Sequence, residues 1–579
     1  MEEIPTKKLL TPTEEIAELD FKKNFKILET GRFQVNLSLK CPSEHTKLGD
    51  SFRIAKKRFE SLENKFQLNH SLFLEYKRFI DEYITLNHAR YIPLTLYNNL
   101  SENKYFLPHH CVIKESSTST RLRVVFDGSC KSSAGTSLND IMLTGPQVQP
   151  DLFDIICRFR IPQFVCTADI KKMYRQININ PNQTFLQNIL WRDDPSKPLE
   201  CIELTSVTYG LRSSSFLSTR AIKELASTNI QKYPLACEAL LTQTYVDDIL
   251  CGAKTEADLE TTYHELNTVL GSACISTHKW VSNSTRFTEK YCNNDQPTSY
   301  DIQIENASNK VLGLSWNPSP DTLSISVPEA PTNTRVTKRI ALSTLAKMYD
   351  PLGLITPVIL HGKLFIKKLF LERMDWDDIL PPSLEKEWTT FVNNIPHLKS
   401  LKIPRCLFLN KKVAHIQIHG FADSSERAYA ACIYFRTVYS DNTVCCILVT
   451  GKSRVSPIRT TTLPRLELCA MLLLSKLTKR IISIYENKLS FSSVNSWSDS
   501  RIALSWIQSH ASRWNTVVSN RVAQITELTN AFQWHHKKIC RKCCRLPISR
   551  ITSPKHFKIR FMVVRSFISA RPQSKSRSF

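Results

Sequence analysis

The sequence predicts a multidomain α+β chain, on three observations. Its 579 residues, at roughly 100–200 residues per domain, amount to about three to five folded units. A hydrophobic share of 42% and a charged share of 22% belong to a chain that folds rather than one that stays disordered. The pattern also changes along its length, from polar helical stripes to short β-type runs and then to mixed segments.

Residues 1–95 read as a helical N-terminal adaptor without chemistry of its own. After Asp50 and Ser51, apolar residues recur at Ile54, Ala55, Phe59, Leu62 and Phe66, one face of a helix. A second stripe runs from Leu72 to Leu86, and Pro93 closes it. Across 96–255, the runs Leu122 to Phe126, Phe164 to Ala168 and Thr244 to Leu250 are rich in β-branched or aromatic residues and read as strands. Residues 256–404 mix both element types, with Pro-rich linkers near 317–332 and 381–382. A further α/β pattern fills 405–535, and 536–579 is a basic tail without periodicity.

Lys and Arg number 77 against 53 Asp and Glu, a formal charge of +24. A surplus of that size attracts polyanions, nucleic acid first among them. No apolar run reaches the roughly 18–20 residues that cross a bilayer, and Met1-Glu2-Glu3 lacks the basic-then-apolar order of a signal peptide. The expectation is a soluble intracellular chain with no membrane partner. Its 18 cysteines are scattered singly, as small buried hydrophobes rather than a disulfide framework.

The most informative tetrapeptide is Tyr245-Val246-Asp247-Asp248, set between Leu241-Thr242-Gln243-Thr244 and Ile249-Leu250-Cys251-Gly252. Apolar strand, two-carboxylate turn and apolar strand follow one another. Adjacent carboxylates at such a tip repel unless cations neutralise them, and hard divalent ions with oxygen ligands meet that need. A third acid, Asp169, ends the strand-like Phe164 to Ala168 and precedes a helix-like Ile170 to Tyr174. Two-metal phosphoryl transfer uses ions about 3.5–4 Å apart, which carboxylates on neighbouring strands can bridge.

Asp169 with Tyr174, and Tyr245 to Asp248, resemble the two catalytic motifs of the reverse transcriptase palm. Longer wording resembles the polymerase of Bel-Pao type LTR retrotransposons: Leu107-Pro108-His109-His110, Arg121 to Asp127, Ser137-Leu138-Asn139-Asp140, Gln149 to Phe153 and Tyr349-Asp350-Pro351-Leu352-Gly353. The resemblance runs to about Trp534. It implies a right-hand polymerase of fingers and palm (96–255) and a thumb or connection region (256–404), followed by an α/β RNase H-like domain (405–535). Asp169, Asp247 and Asp248 would hold Mg²⁺, with Mn²⁺ as an alternative. The primer 3′-hydroxyl would attack the α-phosphate of a dNTP on an RNA or DNA template. Arg123 and Lys114 match phosphate contacts, Tyr174 the ring that rejects a 2′-hydroxyl, and Tyr209 and Gly210 the loop beneath the nascent base pair. Leu312 and Gly313 match the primer-gripping hairpin. Tyr209 stands where glutamine is commonest, and Ser215 where this family usually has proline.

A second constellation comprises Asp423 after the alternating run His415 to Ala422, Glu467 at the start of an apolar helix that Pro464 can initiate, and Asp499 after Val494 to Ser498. Strand-end Asp, helix Glu and strand-end Asp, in that order, are three carboxylates of an RNase H fold. The resemblance expects a fourth acid soon after Trp534, whereas no Asp or Glu follows Glu527. The expectation is an incomplete site with weak or absent cleavage, and a frame change or altered splice near codon 536. His535, His536, Cys540 and Cys543 fit no strong zinc template. The leading expectation is a retrotransposon RNA-directed DNA polymerase acting in the cytoplasm, with the nucleus as the alternative, its partners being RNA template, DNA primer and product, and dNTPs. It would be a fragment of a longer polyprotein. The rival is a catalytically inactive or domesticated remnant that only binds nucleic acid.

Overall fold

The two N-terminal stripes fold as helices α1 (Phe52–Leu68) and α2 (His70–Thr85). Between them the Asn69 side chain accepts the Leu72 amide at 3.1 Å and caps α2. The computed structural model describes residues 9–94, 104–113, 122–292, 309–311, 314–325, 327, 335–530 and 533–536. The buried faces of α1 and α2 do not form a separate unit. One core joins Phe59, Tyr76 and Ile80 to Phe126, Ile170, Trp191, Leu240 and Ile249. The change of text near residue 95 is therefore not a packing boundary.

Helix α3 (Leu152–Phe159), capped by Asp151 on the Phe153 amide at 2.9 Å, leads into the first sheet. That sheet holds β1 (Phe164–Ile170), β2 (Thr244–Tyr245), β3 (Asp248–Ala253) and β4 (Thr277–Ser282) in the order β2-β3-β1-β4, all antiparallel. Two expectations need correction. Leu241 and Thr242 end helix α4 (Pro234–Thr242) rather than start a strand, because Pro234 pre-sets the first turn and an Ala/Leu run continues it. That leaves β2 two residues long. Strand β1 runs through Asp169 to Ile170, and the expected helix there is one 3₁₀ turn, Met173–Gln176, entered through a left-handed Lys172 (φ 52°).

Helices α5 (Lys338–Ala346), α6 (Thr356–Leu371) and α7 (Pro382–Asn394) precede the second sheet. It comprises β5 (Val413–Ser424), β6 (Ala428–Tyr439), β7 (Val444–Val455), β8 (Phe491–Ser498) and β9 (Trp534–His536), in the order β7-β6-β5-β8-β9. Strands β5, β6 and β7 pair antiparallel, while β8 runs parallel to β5 and β9 parallel to β8. Helix α8 (Leu463–Tyr485) packs on this sheet. Leu345, Phe365 and Trp388 from α5 to α7 share one core with Ile418, Phe435 and Leu474. The packing thus continues across residue 404, where only the periodicity breaks. The Tyr349 to Gly353 turn fastens these helices to the sheet. Asp350 accepts the Leu354 and Ile355 amides at 2.8 and 2.7 Å, and the Leu352 carbonyl accepts the Gly451 amide and the Thr450 hydroxyl of β7. Gly353 has φ 69°, and a Cβ there would overlap the Gly451 carbonyl. Among the described residues no helix is long and apolar enough to cross a membrane.

Two buried arginines join the sheets. Arg160 donates to the carbonyls of Arg405, Leu448 and Val449 at 3.0–3.2 Å. Arg405 grips both oxygens of Asp321 at 2.7 and 2.8 Å and donates to the carbonyls of Phe159, Pro162 and Gln163. Arg480 of α8 makes a bidentate bridge to Asp154 of α3 at 2.8 and 2.9 Å. Removing Arg405 takes from the Asp321 carboxylate its charged partner, leaving it the Trp316 indole N–H, and strips a guanidinium donor from three carbonyls. Arg405→Ala is therefore expected to lower unfolding free energy by about 3–5 kcal/mol in urea titration. An unchanged midpoint would contradict this account of the joint.

Candidate active sites

The first acid cluster is built by register. Asp248 of β3 lies opposite Asp169 of β1. The hairpin between Tyr245 and Asp248 turns through Val246, a β-branched residue held at φ 56°, and Asp247. The Ile170 amide donates to the Asp247 carbonyl at 2.8 Å, so backbone hydrogen bonds hold all three acids at one strand edge. The structure thus brings Asp169, Asp247 and Asp248 together from positions almost 80 residues apart in sequence.

Electrostatics register the crowding. Burial pushes the Asp248 carboxyl up to about 6, with Asp247 and Asp169 adding to the shift and Lys279 opposing it. Asp247 is raised by burial and by Asp169, against Lys279 and Arg123. Lys279 Nζ lies 3.1 Å from Asp169 Oδ2, and His278 Nδ1 lies 3.1 Å from the Asp169 carbonyl oxygen. Both come from β4, whose pairing with β1 shifts register between His278 and Val281 and whose Lys279 has φ 55°. Neither residue was legible beforehand, because Thr277-His278-Lys279-Trp280 carries no motif and the bulge exists only in the paired sheet.

Of the residues expected to contact a nucleotide, Arg123, Tyr174, Tyr209 and Gly210 are among the described ones. Arg123 is exposed on the strand Leu122–Phe126, and its charge reaches Asp247 and Tyr209. Tyr174 is half-buried. Burial raises its hydroxyl, a hydrogen bond with Ser215 opposes that, and the charge of Asp247 adds to it. Ser215 therefore supplies a polar partner to Tyr174. The Tyr209 ring lies 5.4 Å from that of Phe126. Gly210 has φ 94°, and a Cβ would overlap the Phe126 carbonyl, so the loop closes on that strand only with glycine. Lys114, Leu312 and Gly313 lie outside the described residues. The strands flanking the last two, Asn309–Val311 and Leu314–Asn317, pair antiparallel with Val311 opposite Leu314.

The second cluster is tighter. Parallel pairing sets Phe421 opposite Trp497, which brings the ends of β5 and β8 level and places Asp423 beside Asp499. Glu467, in the opening turns of α8, completes a group whose ligand atoms lie within 4.8 Å of one another; no other such group of three occurs among the described residues. Glu467 is 5% exposed and its Oε2 has no hydrogen-bond partner. Burial pushes its carboxyl up to about 8, with Asp423 and Asp499 adding to the shift and Ser424 opposing it. An orphaned buried oxygen in an all-carboxylate donor set fits a hard divalent cation. At the edge of the same sheet His535 and His536 lie on β9, while Cys540 and Cys543 fall outside the described residues.

A family model, the Pao retrotransposon-like RNaseH-like domain, matches residues 337–500, which takes in α5 to α8, the second sheet through β8, and all three acids of the second cluster. No curated protein matches the chain. Three solved structures of a foamy viral protease-reverse transcriptase align with the chain. The dRH form in complex with double-stranded DNA has a TM-score of 0.49 at 12% identity, covering 82% of this chain and 70% of that one. The complex with RNA/DNA hybrid gives 0.49 at 12%, covering 88% and 56%, and a complex with double-stranded DNA gives 0.46 at 14%, covering 82% and 83%.

The raised Glu467 value has a testable sign. Between its ordinary 4.5 and about 8 the folded chain holds a proton that the unfolded chain releases, so this group lowers stability as pH rises through that window. Glu467→Gln removes the penalty. In metal-free buffer its advantage over the parent should grow from near zero at pH 4 to about 2–4 kcal/mol at pH 8.5, read by urea unfolding. A difference that does not vary with pH would contradict the assignment.

Proposed function

We propose that the chain is an RNA-directed DNA polymerase of a retrotransposon, with fingers and palm in 96–255, a thumb or connection region in 256–404 and an RNase H-like unit after it. The observation that carries this reading is the register that sets Asp248 opposite Asp169, with Asp247 at the turn between. Three half-buried acids that offer only oxygen donors, with the carboxyls of Asp247 and Asp248 raised, suit Mg²⁺ or Mn²⁺. When bound, such ions activate the attacking oxygen and stabilise the leaving one.

The chain's own residues would do the positioning. Asp169 and Asp247 hold the cation side, and Asp248 is the supporting acid. Arg123 presents a fork of donors to the dNTP phosphates, joined by Lys114. Tyr174 abuts the sugar and disfavours a 2′-hydroxyl, while Tyr209 and Gly210 shape the floor under the new base pair. Leu312 and Gly313 take the primer strand. The +24 charge draws the template-primer largely through its phosphates. The match of 337–500 to a retrotransposon RNase H-like domain supports a retroelement origin; the cytoplasm, with the nucleus as the alternative, is the place such copying would occur. Asp423, Glu467 and Asp499 are read as three acids of an incomplete nuclease-type site for the RNA strand of a hybrid, with weak or absent cleavage because no Asp or Glu follows Glu527 to serve as a fourth ligand.

Purified protein with a primed RNA template, Mg²⁺ and dNTPs should extend the primer, and Asp247→Asn should extend it at least about 100-fold more slowly. Extension by the variant at the parental rate would overturn the assignment. Salt-sensitive template binding with no incorporation by the parent would favour a remnant that only binds nucleic acid.

A further inference from the structure

Helix α2 looks like plain scaffold in the sequence, yet one of its carboxylates reaches the segment that follows Asp169. Between Asp169 and Tyr174 the chain turns through Lys172, whose left-handed φ of 52° costs a non-glycine residue on the order of 1 kcal/mol. Glu82 Oε1 lies 2.7 Å from Lys172 Nζ and 2.6 Å from Arg175 Nη1. These two cations flank Met173-Tyr174, so one carboxylate straps both ends of the 3₁₀ turn that carries Tyr174.

The strap is not a loose surface pair. Arg175 is only 6% exposed, its Nε donates to His88 Nδ1 at 2.9 Å, and its guanidinium lies 3.8 Å above the Tyr83 ring. Burial and the neighbouring Arg175 hold His88 down at about 3, so it stays a neutral acceptor. Arg175 Nη2 is buried without a partner, and among the described residues Glu82 is the only carboxylate paired with that guanidinium. A buried arginine that loses its carboxylate must move or draw in water. From Tyr83 the ring contacts continue to Phe126 at 6.2 Å and on to Tyr209 at 5.4 Å.

We propose that Glu82 is a positioning residue for Tyr174, so that helix α2 helps set discrimination between deoxyribo- and ribonucleoside triphosphates. This rests on the polymerase reading and on Tyr174 abutting the sugar there. Rejecting a single hydroxyl depends on ring placement well below an ångström, and a two-legged ion pair beside the ring fixes that placement.

The test is single-nucleotide incorporation of a dNTP and the matching rNTP by the full chain on a primed RNA template. Four proteins are compared: parent, Tyr174→Ala, Glu82→Gln and Lys172→Met. Tyr174→Ala should relax sugar discrimination. Glu82→Gln should lower the ratio of kcat/KM values about tenfold, chiefly through a lower KM for the rNTP. Lys172→Met keeps Arg175 paired, so it retains the fold if Glu82→Gln does not, and it should lower the ratio about threefold at an unchanged Tm. If Tyr174→Ala relaxes the ratio while the folded strap variants keep the parental value, Glu82 is only structural and the proposal is overturned. If Tyr174→Ala itself changes nothing, the role of Tyr174 falls and this inference with it. A parent that incorporates no nucleotide removes the polymerase reading beneath both.

Discussion

Backbone pairing that forces like charges together is the constraint on which the first site depends. A β-ladder fixes its residues by hydrogen bonds that do not depend on side chains, so Asp248 stands opposite Asp169 whatever their charges prefer. The same ladder buries Ile249, Leu250 and Cys251 against Ala168, Thr167 and Cys166, and that apolar pairing offsets the repulsion at the edge. Strain gathers at the same place: Val246 and Lys279, both left-handed, lie on either side of the acids. The sheet thereby gathers an electrostatic repulsion that Lys279 offsets in part through Asp169.

The second cluster gathers a similar repulsion by other means. Two parallel strands end level, and a helix lowers Glu467 onto the gap between Asp423 and Asp499. Here too burial outweighs the neighbouring charges in raising the carboxyl. The two clusters belong to one packed body. Helix α3 precedes strand β1, and its neighbours Arg160, Arg480 and Tyr485 tie it to β7 and α8. Buried guanidiniums bonded to carbonyls resist sliding, because any shift strips several donors at once.

Much of this was legible in the residues, and the rest was not for definite reasons. The acid trios could be read because each acid closes a run of alternating or apolar residues, a local signal. The N-terminal helices could be read from their stripes. The first arm of the acid hairpin was misread because Leu241 and Thr242 suit strand and helix alike, and only Pro234 seven residues earlier decides between them. Lys279, Arg160, Arg405 and Glu82 were invisible as functional or joining residues. Each acts through partners more than 80 residues away in sequence, and a lone charged residue looks the same on a solvated face as in a buried joint.

The central claim is that the acids at 169, 247 and 248 form one cation site. Iron-directed hydroxyl-radical cleavage tests it most directly, since Fe²⁺ seated in a carboxylate site cuts the backbone around it. Fe²⁺ with ascorbate and peroxide should cut the chain near residue 169 and near residues 247–248 together, and excess Mg²⁺ should suppress both cuts in parallel. Cuts confined to one of the two segments, or cuts that excess Mg²⁺ leaves unchanged, would contradict it.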